Sequence, residues 1–224
     1  MKSELILASG SARRIEMLTK LGLDPEVIPS NKEERPKATD PEGVVRELSR
    51  QKAEDIAYQL MTKIPEPDAP YIVLGADTVV SAGGRILGKP KSHEDAADMI
   101  RLLSGTTHQV FTGVTLVRVL SMDERNMALP EDLVLQGDKA DIHNTDSCME
   151  ITFAEKTDVT VRSMTESEIL AYANSDDPMD KAGAYGIQGP FGAYISGING
   201  DYNNVVGLPL CRTVEWLKRL DQMQ

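Results

Sequence analysis

The chain has 224 residues, 24 Lys and Arg against 35 Asp and Glu, and a formal net charge of −11. That length can bury a proper core without staples, and the acidic balance argues against a broad nucleic-acid or acidic-membrane surface. Only Cys148 and Cys211 are present, with no Cys-x-x-Cys pair and three scattered histidines, so neither a disulfide framework nor a structural zinc site is suggested. A reducing, cytoplasmic setting is expected. The opening apolar run is too short for a signal segment and no later run approaches a membrane span, so the chain reads as soluble, without a membrane partner.

An apolar strand over 5–8 leads through Ser9-Gly-Ser-Ala-Arg-Arg14 into a helix with Ile15, Leu18 and Leu21 on its apolar row. Ser11 is the expected cap. The free N–H groups of such a helix start favour phosphate oxygens, and two arginines in the first turn are easier to understand if a bound anion offsets them. Two solvated arginines after an ordinary cap are the alternative. A second strand near 26–29 runs into the charged loop Asn31-Lys-Glu-Glu-Arg-Pro36. Asp40-Pro41 then starts a helix on which Val45, Leu48, Lys52 and Ile56 share one row. Lys52 therefore stands in an apolar face, either snorkelling to water or pointing at a buried anion.

The stretch 71–80, Tyr-Ile-Val-Leu-Gly-Ala-Asp-Thr-Val-Val, reads as a strand buried on both faces with Asp77 in its middle. A carboxylate there requires a cation, a metal or a set of hydrogen bonds. A hairpin through Gly83-Gly84 brings 86–90 back beside it. A two-residue turn puts Thr78 opposite Lys89, and a three-residue loop through Ala82 puts Asp77 there. Ser92 caps a helix ending at Ser104-Gly105, 110–120 is a β-branched strand, and 151–161 is an alternating one. Between those strands, 121–150 is polar, acid-rich and weakly periodic, a surface excursion or an extended hairpin arm. Thr165 caps a further helix. From Gly183 to Gly207 lie seven of the chain's 17 glycines, interleaved with Tyr185, Gln188, Tyr194, Asp201 and Tyr202 and preceded by Asp180 and Lys181. That density means unusual torsions or close approach of main chain to a ligand. A last amphipathic helix over 210–220 carries Val214, Leu217 and Leu220.

Leu-Ala-Ser-Gly-Ser-Ala-Arg-Arg (7–14), Gly-Ala-Asp-Thr (75–78), Gly-Lys-Pro (88–90), Leu-Ser-Gly (103–105), Asp-Lys-Ala-Gly-Ala-Tyr-Gly-Ile-Gln-Gly (180–189) and Val-Gly-Leu-Pro (206–209) together resemble the Maf, or septum-formation-inhibitor, family. The resemblance covers almost the whole chain, in the family's order and spacing. It implies an elongated α/β fold with a mixed central sheet flanked by helices and a cleft between two lobes. One such domain would span 1–224, with a family-atypical insertion near 121–150. The activity implied is that of a nucleoside triphosphate pyrophosphatase, which cuts between the α- and β-phosphates with a divalent cation, Mg²⁺ or Mn²⁺, as cofactor. Its partner is the nucleotide, with no nucleic acid, and a homodimer is compatible with the family.

Carried over residue by residue, the resemblance implies Ser9, Arg13 and Arg14 on the triphosphate, and Glu34 and Lys52 in the same site. Asp77 becomes the central catalytic carboxylate with Lys89 beside it, Asp77 and Glu34 the metal-ligand candidates, and Gln188 with Thr78 the groups near the base. The Gly-Ala-Asp-Thr and Tyr-Gly-Ile-Gln-Gly versions resemble the subfamily acting on dTTP and UTP. Ala12 departs from the family's usual proline, which loosens the turn without removing a ligand group. For Asp77 the preferred role is the base that takes the proton of the attacking water, assisted by the metal; direct metal ligation is the other. Two rival functions stay open. One is a non-catalytic nucleotide-binding regulator of cell division, which leaves the four cations and two carboxylates without a purpose. The other is a pyrophosphatase for modified purine nucleotides such as 7-methyl-GTP.

Overall fold

Runs rich in apolar and β-branched residues form the middle of the sheet, and amphipathic segments cover its faces. The computed structural model describes residues 3–64, 67–121, 123–124 and 138–222. Its elements in chain order are β1 (Glu4–Leu7), α1 (Ala12–Lys20), β2 (Glu26–Val27), α2 (Pro41–Lys63), β3 (Tyr71–Ala82), β4 (Arg85–Leu87) and α3 (His93–Leu103). There follow β5 (Thr107–Val119), β6 (Asp141–Asn144), β7 (Cys148–Val161), α4 (Glu166–Ala173), β8 (Ile195–Asn199), α5 (Tyr202–Val206) and α6 (Leu210–Asp221). Short 3-10 turns fill the glycine-rich segment between α4 and β8. The strands make one eight-stranded mixed sheet in the order β2-β1-β3-β5-β7-β6, with β4 added beside β3 and β8 beside β7. Strands β2, β1 and β3 are parallel, and the remaining pairs are antiparallel.

The long strands β3, β5 and β7 run through two packing regions. In the first, even-numbered residues of β3 (Ile72, Leu74, Ala76) meet Met17 and Leu18 of α1 and Trp216, Leu217 and Leu220 of α6. Odd-numbered ones face α2 instead, Val73 against Ala53 and Ile56, and Val79 against Val45 and Leu48. In the second region Val80 and Ala82 join Ile100 and Leu103 of α3 and Ile169 and Tyr172 of α4. The partners of one edge of β3 change between these regions. Strand β1 accompanies it as far as Leu74, and β4 takes over only from Val80. From 75 to 79 that edge has no strand beside it among the described residues, while the other edge stays on β5 throughout. Asp77 and Thr78 lie in this gap, half-buried between fully buried neighbours.

Helix α2 lies on the sheet with main chain touching main chain. A Cβ added to Gly75 would stand 2.3 Å from the Ser49 carbonyl oxygen, and one on Gly113 would stand 2.1 Å from that of Val45. Gly113 is the cross-strand partner of Asp77, so the two glycines clear the floor on which the helix rests.

Several local expectations shift. Helix α1 buries Arg14, Met17 and Leu18, and Leu21, at its C-cap, is 49% exposed because the helix has stopped before it. Ser11 takes the extended cap conformation, yet its side chain makes no capping bond. Thr165 forms the full capping box with Glu168, as its spacing predicts, and Asp40 and Ser92 cap α2 and α3. Of the acid-rich stretch 121–150, residues 122 and 125–137 lie outside the described residues. Its latter part is regular: β6 and the start of β7 form a hairpin, as the arm reading expects. Asp138, just ahead of β6, is held by Arg212 and by Trp216, whose Nε1 donates to Oδ2 at 3.0 Å. No described helix is long and apolar enough to cross a membrane.

In the second region His108 is wholly buried on β5, its Nε2 2.7 Å from the Tyr185 hydroxyl. Tyr185 stacks in turn on Phe191, and Phe191 on Tyr172, with ring centroids 4.7 and 4.9 Å apart. Burial drives the His108 pKa down to about 4. The unfolded chain, with an ordinary histidine near 6.5, therefore takes up a proton between these values that the folded chain refuses. The stability tied to neutral His108 is complete above pH 6.5 and is lost as pH falls toward 4.

Two measurements follow from this architecture. Gly113→Ala should destabilise the fold by about 3 kcal/mol or more, since the methyl group meets helix backbone rather than a movable side chain, and denaturant unfolding reads it directly. Between pH 7 and pH 4.5 the unfolding free energy of His108→Gln should fall by about 2–3 kcal/mol less than that of the unaltered protein. Equal losses in the two proteins would assign the acid sensitivity to other groups.

Candidate active site

The gap in the β3 edge opens into a cleft of about 1110 Å³. Its lining includes Ser9, Arg13, Arg14, Glu34, Lys52, Asp77, Thr78, Lys89 and Gln188, so the residues that the resemblance carries over all reach one cavity. Since side chains alternate along a strand, Asp77 and Thr78 project to opposite faces of the sheet, and each meets a cation from a different helix.

On the α2 face, Lys52 is the partner that Asp77 requires. Its Nζ stands 2.6 Å from Asp77 Oδ1 and 2.8 Å from Glu34 Oε1, with Lys52 and Asp77 only 17% and 14% exposed. The apolar row Val45–Leu48–Ile56 presses α2 onto the sheet, and the glycine contact brings it close enough for a lysine stem to reach the strand. Lys52 thus points inward, the less ordinary of its two expected orientations. Glu34 comes from the exposed loop before α2 and closes the triad from outside.

On the α1 face, Arg14 is buried and fully engaged. Its Nε donates to the Gly207 carbonyl at 2.8 Å, and its two terminal nitrogens donate to Ser9 Oγ and Thr78 Oγ1, each at 3.0 Å. Burial pulls the guanidinium below its ordinary pKa; Asp77 opposes that pull, Arg13 adds to it and Glu34 opposes it. Gly207 has φ of 129°, a conformation that L side chains rarely adopt, and it turns its carbonyl to Arg14. Thr112 Oγ1 donates to the Asn204 carbonyl at 3.0 Å, so Thr78 donates to Thr112 at 2.9 Å while accepting from Arg14. A line of hydrogen bonds therefore runs from α1 through β3 and β5 to α5. The neighbouring arginines have separate duties: Arg14 ties the floor together, while Arg13 leans across the cleft to Asp180 Oδ2 at 3.1 Å.

Lys89 does not pair with Asp77. The hairpin uses the two-residue Gly83-Gly84 turn, with Val80 opposite Leu87 and Ala82 opposite Arg85, and β4 stops at Leu87. Lys89 lies just past its end, exposed in the cleft lining and without an ion pair among the described residues. Gln188 lies exposed in the same lining, in the turn closed by the Gly189 N–H to the Gly186 carbonyl at 3.1 Å. Of the polar residues between the glycines, Tyr194, Asp201 and Tyr202 lie outside this lining, and Asp201 instead caps α5 through the Asn203 N–H. Asp177 is a member that sequence reasoning missed. Asp177-Pro178 signals only a turn, whereas the carboxylate accepts from Tyr172 Oη at 2.7 Å and stands 3.3 Å from Lys181 Nζ.

Two carboxylates converging on one ammonium, with Arg13, Arg14, Lys89 and Lys181 around the same cavity, are chemically suited to a polyanion beside an acid–base group. The family model described as Maf-like protein matches residues 4–220. A protein of Agathobacter rectalis named dTTP/UTP pyrophosphatase is 46% identical over 224 residues, covering 97% of this chain and 98% of its own. Proteins of the same name from Lachnoclostridium phytofermentans and Bacillus thuringiensis subsp. konkukian are each 41% identical. The first alignment covers 96% of this chain and 94% of the relative, the second 97% and 96%. A model match over nearly the full length, together with relatives this similar from end to end, places the chain in the Maf family.

Proposed function

We propose that the chain hydrolyses nucleoside triphosphates between the α- and β-phosphates, with dTTP and UTP as substrates, releasing the monophosphate and pyrophosphate. The observation that carries this reading is Asp77 at the floor of the cleft, with Lys52 Nζ 2.6 Å from it and 2.8 Å from Glu34, and Arg13, Arg14 and Lys89 in the same lining. The names of the similar proteins point to the same reaction and the same two nucleotides.

A triphosphate carries about four negative charges near neutral pH, and water approaches its α-phosphorus only when they are offset. Arg13 and Lys89 are the side chains free to move onto phosphate oxygens: one is bound only by an exposed ion pair, the other by none among the described residues. Arg14 contributes its field from below while its hydrogen bonds hold Ser9 and Thr78 in place. The N–H groups at the start of α1 offer further donors. In this reading Asp77 takes the proton of the attacking water, and the Lys52 contact fixes its orientation. Gln188, in the same lining, is assigned to the base in this reading.

The donor set also fits a divalent cation. Asp77 Oδ1 and Glu34 Oε1 both contact Lys52 Nζ, so Asp77 Oδ2 and Glu34 Oε2 are the oxygens that would hold the ion, and Mg²⁺ or Mn²⁺ sites combine one or two carboxylates with substrate phosphates. Among the described residues no three acidic, His or Cys side chains cluster to hold such an ion by themselves, so the nucleotide would complete the site. When bound, the ion would offset phosphate charge and orient the α-phosphorus.

A panel of canonical and modified triphosphates with Mg²⁺ or Mn²⁺, scored for pyrophosphate and for phosphate, tests the reading. Pyrophosphate from dTTP and UTP is expected, and Asp77→Asn should lose at least about 100-fold in kcat with its circular dichroism unchanged. No turnover on any nucleotide would favour a binding protein, and phosphate in place of pyrophosphate would mean that another bond is cut.

A further inference from the structure

The acidic wall facing Arg13 has no part in the reaction just proposed, yet its contacts link the two ends of the cleft. Asp180 uses both carboxylate oxygens: Oδ2 meets Arg13 at 3.1 Å, and Oδ1 meets Lys181 Nζ at 2.6 Å. Lys181 Nζ also donates to the Asp177 main-chain carbonyl at 2.5 Å and stands 3.3 Å from the Asp177 carboxylate, which Tyr172 Oη holds from behind. This network is the surface on which the Gln188 turn rests. A Cβ on Gly186 would stand 2.7 Å from Cε of Lys181, and one on Gly189 would stand 2.9 Å from Oδ1 of Asp177. The two glycines flanking Ile187-Gln188 are therefore seated on the lysine stem and the aspartate carboxylate. Side-chain exposure is graded along the relay, 64% at Asp180 and 35% at Arg13 but 22% at Asp177 and 15% at Lys181. Its outer link can exchange partners cheaply, while its inner links are part of the wall.

Resting on the pyrophosphatase reading, we propose that Asp180 is a positioning residue that couples the phosphate end of the substrate to the base end. In the free protein it occupies Arg13 and holds Lys181 against the Gln188 turn. An arriving polyphosphate takes Arg13 away, since phosphate oxygens offer a guanidinium a bidentate partner of higher charge. The carboxylate then belongs to Lys181 alone, and the turn closes on the base with its support strengthened. Phosphate capture comes first, and it prepares the wall that reads the base.

The test compares the unmodified protein with Asp180→Asn by titration calorimetry. Its ligands are inorganic tripolyphosphate and the non-hydrolysable α,β-methylene analogues of dTTP and dCTP. With the competing charge gone, tripolyphosphate should bind up to about fivefold more tightly, the size of an exposed ion pair. With Lys181 less firmly held, the preference for the dTTP analogue over the dCTP analogue should fall severalfold. In an Arg13→Gln background the tripolyphosphate gain should vanish while the loss of base preference remains. Asp180→Ser, run in parallel, supplies the same readouts should the Asn variant lose its cooperative melt. Parallel weakening of all three ligands, an unchanged base preference, an unchanged or weaker affinity for tripolyphosphate, or a gain that survives Arg13→Gln overturns the proposal. These readouts need no turnover. Failure of the unmodified protein to hydrolyse dTTP and UTP counts against the pyrophosphatase reading alone, whereas its failure to bind tripolyphosphate overturns both.

Discussion

A carboxylate survives in the middle of a buried strand here because one lysine reaches it, and much of the molecule's construction serves that reach. The Lys52–Asp77 contact is half-sheltered, where an unpaired charge of either sign would be costly. It requires α2 to lie closer to the sheet than side-chain packing allows, and Gly75 and Gly113 supply that proximity by having nothing to pack. The apolar row on either side of Lys52 then supplies the pressure. Sheet, helix and charge pair thus depend on one another, so glycines with no chemistry of their own belong to the site as much as the ions do.

The other face of the same strand is organised by different physics. Arg14 is held by neutral oxygens, a carbonyl and two hydroxyls, rather than by a carboxylate. Its charge is therefore not cancelled by a neighbour in contact and remains felt in the cleft. The hydrogen-bonded line through Thr78 and Thr112 to Asn204 joins helices that are far apart in sequence, which makes the floor rigid beneath a rim whose ion pairs are exposed and exchangeable. A rigid base with adjustable arms suits a substrate whose charge must be gathered before its bond is attacked.

Much of this was legible in the sequence because periodicity and charge contradicted each other at particular residues. Asp77 in an apolar strand and Lys52 in an apolar helix row each signalled an unmet requirement, and the structure shows that each answers the other. The capping patterns at Asp40, Ser92 and Thr165 depend only on neighbours in sequence and could be read directly. Legibility ended where long-range geometry decides. Two adjacent arginines look equivalent in a helix turn, and only the tertiary position of Gly207 makes one a brace and the other an arm. The glycine turn allows two hairpin registers, and the shorter, which the structure adopts, leaves Lys89 beyond the ladder. Asp177 carried no local signal because its partners, Tyr172 and Lys181, are recruited by the fold of a glycine-rich segment without regular periodicity.

The open edge of β3 has a consequence for the protein's life in a crowded solution. Exposed strand edges invite pairing with other chains, and proteins ordinarily blunt them with charge, bulges or covering elements. This opening is bracketed by β1 on one side and β4 on the other, carries a charged residue at its centre, and lies at the bottom of a cleft. A foreign strand would find it too short to pair with and too deep to reach, whereas a small molecule meets neither obstacle. The same interruption that leaves the backbone open to a small molecule works against pairing with polypeptide, and the sheet carries an open edge without the aggregation hazard that usually attends one.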